Sequence, residues 1–61
     1  MLETKKEIRE YILRELGKAE TCRIAHFNLM CKSEKTLLDT LEEMVRNGEI
    51  KKNGNFVCLP E

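Results

Sequence analysis

The sequence predicts a small α+β domain in which three helices are followed by a two-stranded antiparallel β-hairpin. Residues 3–18 and 33–47 carry apolar side chains at helical spacing. Residues 49–59 change to a strand-like pattern that flanks Asn53-Gly54, a dipeptide typical of tight hairpin turns. The chain has 61 residues, which is room for a single domain over residues 1–61.

The composition indicates a folded domain with no membrane segment. Hydrophobic residues make up 41% and charged residues 36%, a mixture that favours a packed core over disorder. No apolar run approaches the roughly 18–20 residues of a membrane span, and no signal peptide is visible. We therefore expect a cytoplasmic protein that has no membrane partner.

The first helix is predicted over residues 3–18. Its apolar stripe consists of Ile8, Ile12, Leu16 and Ala19. Thr4 is expected to cap the start, because Glu7 follows three residues later and completes a capping box. Gly17 is expected to end the helix.

The segment Thr21–Met30 predicts a second helix of about two turns. Thr21 is a candidate N-cap, and Ile24, Ala25 and Phe27 supply a short apolar face. The alternative left open is an extended segment around Ala19–Cys22, which would add a short third strand before this helix.

The third helix is predicted from Ser33, an N-cap residue type, to Asn47. Its inward stripe consists of Leu37, Leu41, Met44 and Val45, with Leu38 beside it. Gly48 follows and suits the left-handed position that terminates a helix.

The hairpin is predicted to turn at Asn53-Gly54, which would place Ile50 opposite Val57. Ile50, Val57 and Leu59 would then face the core, while Phe56 and Cys58 would share the outer face with Lys51 and Glu49. A longer loop or a bulge would reverse these faces.

Three cysteines and one histidine are the only candidates for metal or thiol chemistry. An odd number of cysteines without a secretory signal indicates reduced thiols. Cys22, His26, Cys31 and Cys58 form a Cys3His set, but no C-x2-C pair is present and the spacing fits no common zinc module. We expect no metal and no cofactor, and the metal site remains the open alternative.

Catalysis is not expected. The chain has no Gly-rich phosphate loop and no evident nucleophile–base pair, and a chain this short has little left to wall a substrate pocket. A couple of His26 with Cys22 or Cys31 is the remaining enzymatic alternative.

The order of elements resembles a minimal winged helix-turn-helix domain. Ile24-Ala25 resembles the Leu-Ala pair that opens the second helix in many such proteins. Ser33–Leu41 is similar to their S-x-x-T-V-x-x-x-L pattern, and Leu41–Ile50 resembles the L-x-x-L-x-x-x-G-x-I run that leads into the wing. The stretch from Ile24 to Ser33 has ten residues where eight are usual, which is a departure from the pattern.

In size and layout the chain looks like small pilus-operon regulators and like winged-helix proteins of ferrous-iron transport operons. The latter carry a cysteine cluster in a longer wing, whereas this hairpin has only Cys58. An iron–sulfur site is therefore not expected.

The resemblance implies a DNA-binding transcriptional regulator with a recognition helix at about residues 33–47 and a wing at about residues 49–59. Carried over by position, its contacts with double-stranded DNA would be made by Lys32, Ser33, Lys35, Thr36 and Thr40 near the recognition helix and by Lys51, Lys52 and Asn53 on the wing.

The local charge limits this expectation. Residues 32–45 contain two lysines against four carboxylates, whereas residues 46–55 contain three cations against Glu49. Phosphate neutralisation supplies most non-specific affinity, so a monomer should bind weakly and the wing should carry most of the electrostatic attraction. A homodimer or a partner protein is therefore expected. The alternative is a winged-helix protein-interaction module without intrinsic DNA binding, with Phe56, Cys58 and Tyr11 as its apolar contacts.

Overall fold

A computed structural model describes residues 1–60 of the chain. These residues form α1 (Lys5–Lys18), β1 (Thr21–Arg23), α2 (Ile24–Met30), α3 (Glu34–Arg46), β2 (Lys51–Asn53) and β3 (Phe56–Cys58). The strands make one antiparallel sheet in the order β1-β3-β2. The α+β class, the three helices and the hairpin are confirmed, and so is the third strand before α2. None of the helices in residues 1–60 is long and apolar enough to cross a membrane.

The core lies where the helices meet the inner side of the sheet. Its buried hydrophobic residues are Ile8, Ile12, Leu16, Phe27, Cys31, Leu37, Leu41, Met44, Ile50 and Val57. Every described element except β2 contributes a side chain to this set or to its partly buried rim. Burial of these apolar surfaces is the main force that stabilises so short a chain.

The capping box at the start of α1 is confirmed. The Glu7 amide donates to Thr4 Oγ1 at 3.2 Å, and the Thr4 amide donates to Glu7 Oε1 at 3.1 Å. The helix ends at Lys18, the last residue of the predicted range, but Gly17 is a helical residue and not the cap. Ala19, expected in the apolar stripe, is instead the exposed C-cap. A glycine inside a helix costs only about 1 kcal/mol relative to alanine, which the packing of Leu16 outweighs.

The capping role expected for Thr21 is wrong. Thr21 lies in β1 opposite Cys58, and α2 begins three residues later without a side-chain cap. The Ile24 amide instead donates to the Asn55 carbonyl at 2.9 Å. The start of α2 is therefore tied to the hairpin turn by a backbone hydrogen bond.

The ends of α3 form as expected. Ser33 Oγ accepts the Thr36 amide at 3.3 Å, which confirms the N-cap. At the other end Gly48 has a φ of 75°, its amide donates to the Val45 carbonyl, and the Glu49 amide donates to the Met44 carbonyl. This pair of bonds is a Schellman motif.

The inward stripe of α3 differs from the expected one at two positions. Val45 is exposed, and Thr40 is buried in its place with 2% of its surface exposed. The Thr40 hydroxyl donates to the Thr36 carbonyl at 2.7 Å, so its burial leaves no hydroxyl unsatisfied.

The hairpin turn lies one residue later than expected. Asn53 pairs with Phe56 and Lys52 with Val57, so the turn residues are Gly54 and Asn55. Gly54 has a φ of 59° and Asn55 has a negative φ, the sign pattern of a type II′ turn, which needs only one left-handed residue. The predicted Asn53-Gly54 turn is therefore wrong.

The faces of the hairpin are nevertheless as expected, because the register moved by two. Ile50 and Val57 are buried, whereas Phe56 points outward. Leu59 is the exception, since it lies beyond β3 and is exposed.

We expect Leu41→Ala to lower the free energy of unfolding by about 2–5 kcal/mol, because it leaves a cavity between α3 and the other helices. Leu38→Ala, one turn away on α3, removes a side chain that is 45% exposed and should cost at most about 1 kcal/mol. Urea unfolding followed by circular dichroism measures both. Equal losses would contradict the assignment of the two faces of α3.

Alanine substitutions at Gly48 and at Gly17 are expected to change the stability of the domain in opposite directions. Gly48→Ala should destabilise the domain by about 1–2 kcal/mol, because alanine is strained at a φ of 75°. Gly17→Ala should stabilise it by about 0.5–1 kcal/mol, because Gly17 is helical and its added Cβ meets no neighbour. Thermal melts of the two variants should therefore shift in opposite directions, and a shared direction would argue against the observed end of either helix.

Candidate functional site

The outer face of the sheet gathers one side of all three strands. Arg23, Phe56 and Asn53 form one row across the sheet, and Thr21, Cys58 and Lys51 form the next. Side chains alternate between the two sides of a strand, so these six residues share the side opposite Val57. We call these six residues the outer sheet face.

The sheet carries three cations that the other described residues do not neutralise: Arg23 and Lys51 on the outer sheet face, and Lys52 on the other side of β2. Arg23, Lys51 and Lys52 make no ion pair with any of residues 1–60, and no strand residue is acidic. Arg23 lies over the Phe56 ring, with its guanidinium carbon 5.5 Å from the ring centroid. Glu49, just before β2, is bound by Arg9. The positively charged side chains of the sheet are therefore exposed to solvent.

Arg23 is the residue that sequence reasoning missed. It stands in a strand of three residues, too short for its alternating pattern to be decisive, and only the pairing of β1 with β3 brings it beside the hairpin turn. The sequence left a short strand near this position open but did not indicate its partner, because α2, α3 and β2 lie between β1 and β3.

The basic residues on the outer side of α1 behave differently. Lys5 Nζ lies 2.6 Å from Glu43 Oε2, and Arg9 pairs with Glu49. The Glu43 carboxylate raises the pKa of Lys5, and the Arg9 guanidinium lowers the pKa of Glu49. These pairs join α1 to α3 and to the loop before β2. The charges of Lys5 and Arg9 are therefore neutralised within the fold. Lys6 and Arg14 remain without an ion pair on the described part of the helix.

The residues expected to face DNA from α3 do not form one surface. Lys35 is exposed and forms no ion pair with any of residues 1–60. Lys32 is paired with Glu3, with 3.4 Å between Lys32 Nζ and Glu3 Oε1. Ser33 is half-buried and its hydroxyl caps the helix. Thr36 is half-buried on the side of α3 opposite Leu38.

Thr40 is a correction. Its side chain is buried and its hydroxyl is bonded to the backbone of the preceding turn, so it is not at the surface. Its expected contact with DNA is therefore wrong. Thr40 follows Leu37 by three residues and precedes Met44 by four, so it lies on the core side of α3. A pattern built from apolar residues alone passes over Thr40 because it is polar and includes Val45.

The outward side of α3 mixes apolar and charged side chains. Lys35, Leu38, Glu42 and Val45 follow each other at intervals of three, four and three residues, so they lie along one line of the helix surface. Glu42 Oε1 accepts a hydrogen bond from Arg46 at 2.9 Å. Among residues 1–60, Lys35 is the one unpaired cation on this line, so the line offers little attraction for phosphate.

A groove of about 500 Å³ opens between the start of α2, the first turns of α3 and the hairpin. Its lining is Arg23, Ile24, Ala25, Asn28, Glu34, Leu37, Leu38, Asn55 and Phe56. Leu38 and Phe56, 45% and 43% exposed, form its apolar rim. This volume lies within the roughly 300–1,000 Å³ range of ligand-binding clefts.

The cysteines and the histidine do not converge. Within residues 1–60 no group of three or more His, Cys, Asp or Glu side chains is placed to hold a metal ion. Burial raises the pKa of the Cys31 thiol, and burial together with the Glu15 carboxylate raises the pKa of Cys22. Raised values keep these thiols protonated, the form that is a poor nucleophile and metal ligand.

His26 is an exposed residue of α2 on the side that faces α1. Its Nε2 is 3.7 Å from Glu15 Oε1 and 3.5 Å from the Tyr11 hydroxyl. No thiol is bonded to it among the described residues, so the structure does not assemble the cysteine–histidine couple. Cys58 lies on the outer sheet face, away from Cys31.

No protein-family model, no curated protein and no solved structure matches this chain.

We expect the Cys31 thiol to react with a thiol reagent at least about tenfold more slowly than the half-buried Cys58 at neutral pH, because Cys31 is 4% exposed and mostly protonated. Single-cysteine variants made by Cys→Ser substitution at the other two positions allow each rate to be measured separately. Equal rates in the folded state, with equal rates in urea, would show that Cys31 is not in the core.

Proposed function

We propose that this chain is a winged-helix domain that binds double-stranded DNA, mainly through its hairpin, and acts in the cytoplasm as a transcriptional regulator. Two observations support the proposal. The elements follow the order helix, strand, helix, helix, hairpin, and the motifs between Ile24 and Ile50 resemble those of winged helices. The observation that carries it is the set of solvent-exposed cations on the sheet.

Three cations on one small sheet are suited to phosphate. Lys51 and Arg23 share the outer sheet face, and Lys52 extends from the edge strand β2. Lysine and arginine bind phosphate by charge and by hydrogen bonding, and Asn53 adds an amide donor in the same row as Arg23. The hairpin therefore offers contacts to the DNA backbone that need no particular base sequence.

The helix α3 contributes less than a recognition helix usually does. Lys35 and Lys32 are the cations near its first turn, whereas Glu34 and Glu42 flank Leu38 on the outward side. Carboxylates repel phosphate, so the side chains of α3 limit how closely its outward face approaches the duplex. Useful affinity then requires that contacts be doubled by a second copy or supplied by a partner protein.

A protein-interaction module without intrinsic DNA binding is the second candidate. It is favoured by a specific observation, the exposure of Leu38 and Val45 on the outward side of α3. Apolar residues on a helix surface that lacks a packing partner are typical of protein contacts.

The proposal predicts weak, salt-sensitive binding to random duplex DNA. At about 50 mM salt we expect measurable binding by fluorescence anisotropy, with a slope of log K against log salt near −3 for three or four neutralised phosphates. Lys51→Ala and Arg23→Ala should each weaken binding several-fold and reduce the slope by about 1.

Lys6→Ala is the matched control, because Lys6 is equally exposed and unpaired but lies on α1. It should leave binding nearly unchanged. If random duplex DNA does not bind at about 50 mM salt, or if Lys6→Ala weakens it as much as Lys51→Ala, the proposal fails and the interaction module is the better account.

A further inference from the structure

The groove between α2, α3 and the hairpin is a concave surface with more apolar than polar lining. Ile24 and Leu37 form its interior, and Ala25, Leu38 and Phe56 form its rim. These three rim side chains are exposed to solvent. Exposed apolar side chains around a concave surface are a common feature of sites that contact another molecule.

The two helical walls have the geometry that accepts a third helix. Ala25 and Asn28 are three residues apart on α2, and Glu34 and Leu38 are four residues apart on α3. Such pairs form ridges along a helix surface, and the space between two ridges receives the ridge of another helix. Phe56 closes the sheet side of this space.

Opposite charges stand at the two ends of the groove. Arg23 lies at the start of α2 beside the hairpin turn, held over the Phe56 ring. Glu34 lies at the α2–α3 junction, where its Oε2 accepts a long 3.5 Å hydrogen bond from the side-chain amide of Asn28. Neither charge is in an ion pair with any described residue, so both are available to a bound segment.

We propose that this groove binds a short amphipathic helix of another protein, with leucine-type anchor residues between a carboxylate that meets Arg23 and a lysine or arginine that meets Glu34. The anchors enter between Leu38 and Phe56 and remove these side chains from water. The end charges set the direction of the helix. Because Arg23 and Phe56 also belong to the outer sheet face, a helix in the groove and DNA on the sheet would compete for these two side chains.

The test uses synthetic amphipathic peptides of about 16 residues, long enough to be partly helical in water. Their leucines are spaced one helical turn apart. The two charged residues that flank the leucines are about two turns apart, to match the distance from Arg23 to Glu34 along α2, and are Glu and Lys, Lys and Lys, or Glu and Glu. We expect the Glu/Lys peptide to bind most tightly by fluorescence anisotropy, because each of the other two places a like charge against Arg23 or Glu34.

Variants of the protein identify the groove. Leu38→Ala should weaken the affinity for the Glu/Lys peptide about tenfold, which corresponds to a loss of about 1.4 kcal/mol in binding free energy. Arg23→Gln should abolish the preference over the Lys/Lys peptide, and Glu34→Gln should abolish the preference over the Glu/Glu peptide. Leu29→Ala is the matched control, because Leu29 is 78% exposed on α2 but does not line the groove, and it should change nothing.

Three results overturn the proposal. The first is no binding of any peptide at about 1 mM, the weak limit of useful affinity. The second is equal losses in Leu38→Ala and Leu29→Ala while both variants remain folded by circular dichroism. The third is self-association of the chain in sedimentation that Leu38→Ala removes, since the occupant would then be a second copy.

Discussion

The antiparallel pairing of β1 with β3 positions the outer sheet face and the sheet side of the groove. It places Arg23 opposite Phe56 and, through β3, in line with Asn53 on β2. The hydrogen bond from the Ile24 amide to the Asn55 carbonyl continues this pairing into the start of α2. Without β1, the hairpin would be an isolated two-stranded ribbon, which is marginally stable in water, and the groove beside α3 would lose one wall.

The net charge of zero divides into two unlike surfaces. On α1 the cations Lys5 and Arg9 face carboxylates of α3 and of the loop before β2, and such exposed pairs add little stability but neutralise that side. On the sheet Lys51, Lys52 and Arg23 have no such partner within the described residues. Within residues 1–60 the sheet therefore holds three unpaired cations close together, whereas the outward side of α3 carries Leu38 and Val45 among charged side chains of both signs.

Much of the fold was predictable because its signals are local. The capping box at Thr4, the N-cap at Ser33 and the helix stop at Gly48 each depend on residues within one turn, where side-chain and backbone groups meet whatever the rest of the chain does. The candidate site was less predictable. The sequence pointed to Lys35, Lys51 and Lys52, whose exposure the structure bears out, but it also assigned Thr40 to the surface.

The sequence by itself determined the three helices, the caps at Thr4, Ser33 and Gly48 and the faces of the hairpin, since these follow from the spacing of apolar residues and from residues with special backbone preferences. Only the tertiary structure decided the turn at Gly54-Asn55, the burial of Thr40 and the place of Arg23. The physical reason is the same in each case. Strand pairing and core packing join residues distant in the chain, and the free energy of those contacts outweighs the small local preferences for a turn residue or a helix face.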